Sequence, residues 1–578
     1  MVFDSLGLRQ VARELGEGLE GARVERVFMP AEATAVLEFG RPGAAPQVLL
    51  CWQPELARVY LAHDFSPEPG LHCALVDALR RYLRGARLAG VSQLGFDRVL
   101  RLDFLNAENL GPHSRCALVV EPIGRWANAL LLDATDTLRG CARPVPAEVN
   151  RYRQLLPGEP YQPPPGQELP PLSEAGAEQL ETVARAAPEA ALGGLVRASF
   201  QGASPTLLGE LWARTGLDPD APAAGQPPQW AERLGQALRG LTTETDQPGA
   251  WVHCPAPGKT FAYPVRLVRP AAAEAVATLS AGLQQVAAEL AAGERARQRR
   301  ESLAAAAARG WESVHRRRQA REQAWQTAQE AGVWREYGEA ILANLWRLSP
   351  GETEARLPLY TPEGEREMVV PLAPHLPPQE LAQLYFRRYK KAQRAVAKLP
   401  RLLAADRREE QYLEGALGQL ETADAADLAE LEEELRRGGY LRRRRERPSR
   451  EPRRDFHRLT REGHALWWGG TGLQNDRLLR AAAPEDLWLH VREGPGGHVV
   501  VRTGGQPQQV PETVRQEAAR LAAGLSRRRG EGEVEVACTL VKHVRRPAGG
   551  PPGYVLYDHE ATLSAAPLPS PPDEPEGA

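Results

Sequence analysis

The chain has 578 residues, 42% of them apolar, with 72 basic and 74 acidic side chains and a formal net charge of −2. That length predicts several domains, and that apolar share excludes a globally disordered chain. Six cysteines scattered from Cys51 to Cys538 include no C-x-x-C pair, which excludes a zinc ribbon and argues against a disulfide framework.

No run approaches the ~20 apolar residues of a membrane span. The opening Met1-Val2-Phe3-Asp4 shows no basic segment followed by an apolar one, so a cytoplasmic protein with no membrane partner is expected. Only five of the cations are lysine and the rest are arginine, so the position of the arginine clusters says more than their number.

Residues 1–170 read as a mixed α/β domain. A helical apolar pattern covers Leu6–Leu19, and strands follow over Arg23–Met29, Thr34–Phe39, Gln47–Trp52 and Ala57–Ala62. A helix over Leu71–Leu83 precedes strands at Asp97–Phe104, Cys116–Glu121 and Ala127–Asp133. In the first of these, Leu100, Leu102 and Phe104 alternate with Arg101 and Asp103, the pattern of a half-buried strand. The prolines of Pro160–Pro171 predict an extended linker. Residues 172–240 read as a domain of short helices. Leu195–Phe200 and Ser204–Thr215, joined by Gln201-Gly202-Ala203, form either a helix-hairpin-helix unit, whose turn amides hold a nucleic-acid backbone, or an ordinary αα-hairpin.

Residues 270–435 predict a long antiparallel coiled-coil arm with a small insert. Val276, Leu279, Leu283, Val286 and Leu290 are spaced 3, 4, 3, 4, which is a heptad seam. A second seam runs through Leu413, Leu417, Leu420, Leu428, Leu431 and Leu435. Between them, Leu357–Tyr360 and Met368–Leu372 flank Pro362-Glu363-Gly364 as a hairpin tip, within an insert around 337–372. In this order one chain satisfies both seams, so a monomer is expected; a parallel dimer would strand the insert. Residues 436–454 are the strongest charge run, with Arg442, Arg443, Arg444 and Arg445 at its centre. They read either as a solvated linker or as a strap for phosphates, which arginine grips bidentately.

Residues 455–565 read as a compact C-terminal α/β unit. Strands are expected at Leu466–Trp468, Leu487–Val491, His498–Arg502, Val534–Cys538 and Tyr554–Tyr557, with a helix over Glu512–Leu525. The tail, 566–578, is expected to be disordered. The chain contains no Walker A sequence, H-E-x-x-H, G-x-S-x-G or dinucleotide fingerprint. No catalytic nucleophile, metal or cofactor is therefore expected.

Several short segments match one family in order along the chain. In the N-terminal part these are Phe3-Asp4, Leu79-Arg80-Arg81-Tyr82-Leu83-Arg84-Gly85, Phe96-Asp97-Arg98, Glu121-Pro122-Ile123-Gly124-Arg125-Trp126-Ala127-Asn128 and Leu156-Pro157-Gly158-Glu159-Pro160-Tyr161. In the middle they are Tyr337-Gly338-Glu339 and Tyr385-Phe386-Arg387-Arg388-Tyr389-Lys390-Lys391. In the C-terminal part they are Gln474-Asn475-Asp476, Asp486-Leu487-Trp488-Leu489-His490, Gly497-His498-Val499-Val500 and Lys542-His543-Val544-Arg545-Arg546-Pro547. In these segments the sequence resembles the NFACT family, which comprises RqcH-type ribosome quality-control factors and proteins called fibronectin-binding protein A-like.

The resemblance implies a glycosylase-like N-terminal fold, an RNA-binding C-terminal domain, and a non-enzymatic role. Such a protein binds large (50S) ribosomal subunits obstructed by peptidyl-tRNA, recruits tRNA, typically alanyl-tRNA, and supports template-free C-terminal tailing of the stalled chain. The ribosome performs the peptide-bond chemistry. By the same resemblance Asp97 and Arg98 engage tRNA, together with Asp4. The alternative for Asp97-Arg98 is an ion pair at the mouth of the following strand. Glu121, Gly124, Arg125 and Asn128 form the next tRNA-binding cluster, beside which Trp126 either stacks on a base or, as expected of a Trp beside a strand, fills the core. In the C-terminal domain His490, His498, Lys542, His543, Arg545 and Arg546 are the RNA candidates, with Lys542, Arg545 and Arg546 assigned to phosphates. The two histidines read equally as buried neighbours of strands. Two further functions compete: a fibronectin-binding surface adhesin and a nucleic-acid repair protein. The second is disfavoured because Val2-Phe3 stand where the glycosylases carry a proline nucleophile and a glutamate.

Overall fold

Arg23 to Cys141 form one antiparallel sheet of nine strands. They are β1 (Arg23–Ala31), β2 (Thr34–Gly40), β3 (Gln47–Cys51), β4 (Arg58–Ala62), β5 (Arg87–Gln93), β6 (Leu100–Leu105), β7 (Arg115–Glu121), β8 (Asn128–Asp133) and β9 (Leu138–Cys141), in the spatial order β4-β3-β2-β1-β5-β6-β7-β8-β9. The computed structural model describes residues 3–40, 45–106, 114–166, 168–256, 259–270, 272–349, 351–361, 364–442 and 455–568. These fall into two compact units, Met1–Gly293 and Glu294–Ala578. No helix among the described residues is long and apolar enough to cross a membrane.

The period of two sorts the sheet's side chains onto two cores. Cys116, Leu118, Val120, Ala129 and Leu131 face one, with Phe3 and helices α1 (Ser5–Leu19) and α2 (Ala74–Leu83). Ala117, Val119, Leu130 and Leu132 face the other, which Leu155, Val145 and Tyr161 cover. The proline-rich stretch therefore does not begin as a loose linker. Pro160 bridges to Thr137, the Tyr161 amide donates to the Asp136 carbonyl at 2.8 Å, and Pro171 bridges to Gln201.

Helices α3 (Ala177–Ala186), α4 (Leu192–Ser199), α5 (Pro205–Thr215) and α6 (Trp230–Thr245) form a second core in the same unit, which takes in Leu6 and Phe96. In the turn between α4 and α5, Gln201 N donates to the Pro170 carbonyl and Ser204 N to the Gly202 carbonyl. A three-stranded sheet of β10 (Ala250–His253), β11 (Phe261–Tyr263) and β12 (Ala273–Val276) follows.

Helix α7 (Leu279–Gln329) corrects the expected pairing of the two seams. Val276 ends a strand, and Leu279, Leu283 and Val286 are buried against the N-terminal sheet's core. The second seam instead meets later residues of α7, Leu303, Ala307 and Val314. After α7 come α8 (Gly332–Ala343), the hairpin β13 (Glu354–Thr361) and β14 (Gly364–Pro371), and α9 (Pro378–Thr422). Helices α7 and α9 run antiparallel, because Arg300 donates to the Ala423 carbonyl, His315 meets Glu410, and Arg317 and Arg321 both bond Asp406. The seam also breaks at Asp424, which caps α10 (Ala425–Arg437) through the Asp427 amide. Leu428, Leu431 and Leu435 thus sit on a separate helix.

The C-terminal sheet has the order β15-β16-β18-β17-β19-β22, from β15 (His457–Arg461), β16 (His464–Trp468), β17 (Leu487–Val491), β18 (Val499–Val501), β19 (Val534–Leu540) and β22 (Ala561–Ala565). A small pair, β20 (Val544–Arg545) and β21 (Leu556–Tyr557), lies apart. Helix α12 (Glu512–Gly524) packs on one face, and α11 (Gly472–Ala481) brings Leu478 to Trp488 and Val500 on the other. Arg443, Arg444, Arg445 and most of the expected tail lie outside the described residues.

Candidate functional site

Asp97 and Arg98 occupy the loop between β5 and β6, where Gln93 pairs with Leu100. Two contacts fix that loop. Gln93 Nε2 donates to the carbonyls of Ser5 at 2.9 Å and Asp97 at 2.7 Å. The Phe96 amide donates to Gln201 Oε1 at 2.7 Å. The approach is so close that a Cβ on Gly95 would lie 2.3 Å from that oxygen, and one on Gly202 would lie 2.3 Å from the Phe96 carbonyl. Gln201, absent from the sequence-derived site, therefore sets the position of the Asp97 loop.

The Asp97 carboxylate accepts the Arg98 backbone N–H at 2.6 Å rather than pairing with its guanidinium. Arg98 makes no ion pair among the described residues. Asp4 has a different standing: it is 5% exposed and caps α1 by accepting the Gly7 amide at 3.1 Å. Its other oxygen accepts from Ser204 Oγ at 2.5 Å and Tyr263 OH at 2.9 Å. Burial first, then the Asp4 charge, pushes the Tyr263 hydroxyl well above its usual pKa. Asp4 ties α1 to α5 and β11; it is a positioning residue.

The second cluster lies at the same end of the sheet, since Leu100 pairs with Val120 and Glu121 with Asn128. Its members divide by burial. Glu121 is 0% exposed and accepts from Arg153 at 2.5 Å and Tyr161 OH at 2.7 Å, which pins the covering segment. Asn128 is also buried and exchanges two hydrogen bonds with the Arg143 backbone, 2.7 and 2.9 Å. Between them Gly124, Arg125 and Trp126 form one exposed turn. Trp126 is 47% exposed, with the Arg125 guanidinium 5.2 Å from its ring centre, so it does not fill the core. On either side of the turn Pro122 and Ala127 are buried, and Ile123 packs against the second core. Arg125, like Arg98, has no ion pair among the described residues.

In the C-terminal unit the expected phosphate contacts are mostly occupied. Lys542 pairs with Glu485 at 3.0 Å, and Arg546 with the buried Asp476 at 2.7 Å. Arg545 is exposed on its short strand, and Arg442 is exposed at the last described position before the basic run. His543 lies 3.7 Å from Asp558, its ring 4.7 Å from His559. His498 is 1% exposed and its amide donates to Asn475 Oδ1, while His490 stacks on Trp488 with ring centres 5.5 Å apart. Burial pushes His490 down to about 4 and His498 well below its usual value, the latter further lowered by His490. Both are neutral imidazoles at pH 7, so neither offers charge to a phosphate.

A family model described as the NFACT N-terminal and middle domains matches residues 4–454. The chain is 28% identical to "Rqc2 homolog RqcH" of Bacillus subtilis over 98% of both chains. It is 29% identical to "Ribosome quality control complex subunit 2" of Saccharomyces cerevisiae, over 26% of this chain and 14% of that one. Among solved structures, the N-terminal part of the fibronectin/fibrinogen-binding protein from Streptococcus suis covers 50% of this chain at 23% identity, with a TM-score of 0.42. With more than half its length matched by one family model, and the quoted segments in order along it, the chain belongs to the NFACT family.

Proposed function

We propose that this protein is a ribosome quality-control factor that binds obstructed large subunits and recruits tRNA. The end-to-end match to a relative named as a homologue of Rqc2 carries the reading. The geometry supports it, because Arg98, Arg125 and the exposed Trp126 cluster at one end of the sheet. Unpaired guanidiniums grip phosphate, and an exposed indole stacks on a base. On this reading the partners are the 50S subunit, tRNA with alanyl-tRNA as the expected species, and the stalled peptidyl-tRNA. The protein acts as a cytoplasmic monomer that supports C-terminal tailing without catalysing it. The relatives that span the chain, rather than the neighbours named for fibronectin or fibrinogen, support this function.

The test is to recover the tagged protein from cells under translational stress and sequence the bound RNA. Large-subunit rRNA with one enriched tRNA is the expected result. Recovery of neither would overturn the reading.

A further inference from the structure

The C-terminal unit holds a cavity of about 190 Å³ lined by α9 residues, the end of β17, the Glu493–Gly496 turn and the loop before β21. Its walls are aromatic and polar without being cationic: Tyr412, Tyr554, Tyr557, His490 and His498. Trp488 backs them, parallel to His490 and edge-on to His498 at 5.3 Å. Three buried nitrogens of this cluster lack a hydrogen bond of normal geometry: Trp488 Nε1, His490 Nδ1 and His498 Nδ1. His490 and His498 line the cavity and, among the described residues, are held only by nearby backbone of Val491, Gly496 and Gly553, so their ring edges leave room for a further partner there.

The chemistry of the walls selects that partner. Neutral imidazoles beside the Glu493 carboxylate disfavour a phosphate or carboxylate. Stacked rings with unsatisfied nitrogens favour a flat, neutral group that carries its own donors and acceptors. Tyr412, Pro551 and Pro552 also line an adjoining cavity of about 560 Å³ that carries Arg408, Arg437 and Arg546. Of these, Arg408 makes no ion pair among the described residues; its Nε donates to the Ala404 carbonyl. Arg437 and Arg546 are held by Glu433 and Asp476, and Glu409 and Glu434 share the wall, so Arg408 is the cation that a phosphate attached to a planar group in the first cavity would meet.

We propose that the His490–His498 cavity receives one unstacked RNA base, with Arg408 next to it available to its phosphate. This rests on the RNA-binding reading above and names the ligand of its C-terminal domain. Bases splayed from single-stranded RNA are recognised in this way, by stacking on aromatic rings and hydrogen bonding at their edges.

The test uses the full-length protein and a labelled single-stranded RNA ten-mer, compared with the same ten-mer made abasic throughout, which keeps every phosphate. The intact RNA should bind about tenfold more tightly, within the range for base stacking. Gly494→Leu should erase that ratio by filling the cavity, because a Cβ at Gly494 meets nothing nearer than Val491 at 4.0 Å. Tyr554→Leu, which removes a wall ring instead, should do the same. Both variants should keep the salt dependence of the wild type. Equal binding of intact and abasic RNA by the wild type would mean that only water satisfies the nitrogens and would overturn the proposal. So would a ratio that survives both substitutions. Failure of both RNAs to bind at any salt would instead overturn the RNA-binding reading itself.

Discussion

At the scale of single residues, burial separates the groups that fix the loops at one end of the N-terminal sheet from those less buried within them. Asp4 and Arg98 belong to the same sequence-derived site, yet their substitutions should have opposite signatures. Asp4→Ala removes a helix cap and leaves the Ser204 and Tyr263 hydroxyls unsatisfied, so it should cost about 3 kcal/mol in urea unfolding. Arg98→Ala touches no described ion pair and should change stability by less than ~0.5 kcal/mol, while abolishing tRNA recovery. A stable Asp4→Ala, or normal tRNA recovery by Arg98→Ala, would contradict these roles. The histidines give a pH prediction. His490 has a folded pKa of about 4, below its unfolded value near 6.5, so the unfolded chain binds the proton between those limits. Its contribution is intact above pH 6.5 and falls toward pH 4, with a slope approaching ~1.4 kcal/mol per unit. Urea midpoints at pH 7, 6 and 5 should show the C-terminal unit losing stability, and His490→Gln should flatten part of that slope.

At the scale of elements, the first heptad seam is the instructive case. From Leu279 onward its spacing marks an apolar helical stripe, but Val276 ends a strand and the stripe's partner is a sheet rather than a second helix. A 3, 4 repeat states that a face must be buried and not against what. Leu283→Ala should therefore destabilise the N-terminal unit by roughly 2–5 kcal/mol. Hydrogen exchange should accelerate in β3 and β4 while the helix around Leu413 keeps its protection; the reverse pattern would restore a two-seam coil. The α7–α9 pairing is held elsewhere, by Leu303 and Ala307 against Leu413 and Ala416, and by Asp406 receiving both Arg317 and Arg321.

At the scale of the whole molecule, binding to a ribosomal subunit is a matter of many phosphates and a few exposed surfaces. Replacing Arg442, Arg443, Arg444 and Arg445 with serine should weaken ribosome association. It should also flatten the plot of log affinity against log salt by roughly 0.7–0.9 per lost phosphate contact. An unchanged slope would return 436–454 to a solvated linker. The insert between α7 and α9 has its own core around Ile341, Leu357 and Tyr385, and leaves Trp346 78% exposed. Replacing Gly332–Leu376 with a short loop should spare the ion pairs at Asp406 yet remove large-subunit binding in sedimentation assays. Retained binding would place the contact elsewhere.

The sequence by itself determined most of the N-terminal strands, the strand alternation of Leu100, Leu102 and Phe104, apolar stripes of the long helices and the family. These are local patterns, written in periods of two and 3.5 residues and in short runs of neighbours. Only the tertiary structure decided which members of each cluster are buried: Glu121 and Asn128 inward, Arg125 and Trp126 outward, Asp4 locked between α5 and β11. It alone brought Gln201 to Phe96, and Tyr412 to the loop carrying Tyr554. The partners in those contacts lie about a hundred or more residues apart, and no local periodicity encodes which side chain satisfies a distant donor. Burial of a polar group is settled by the element that comes to cover it.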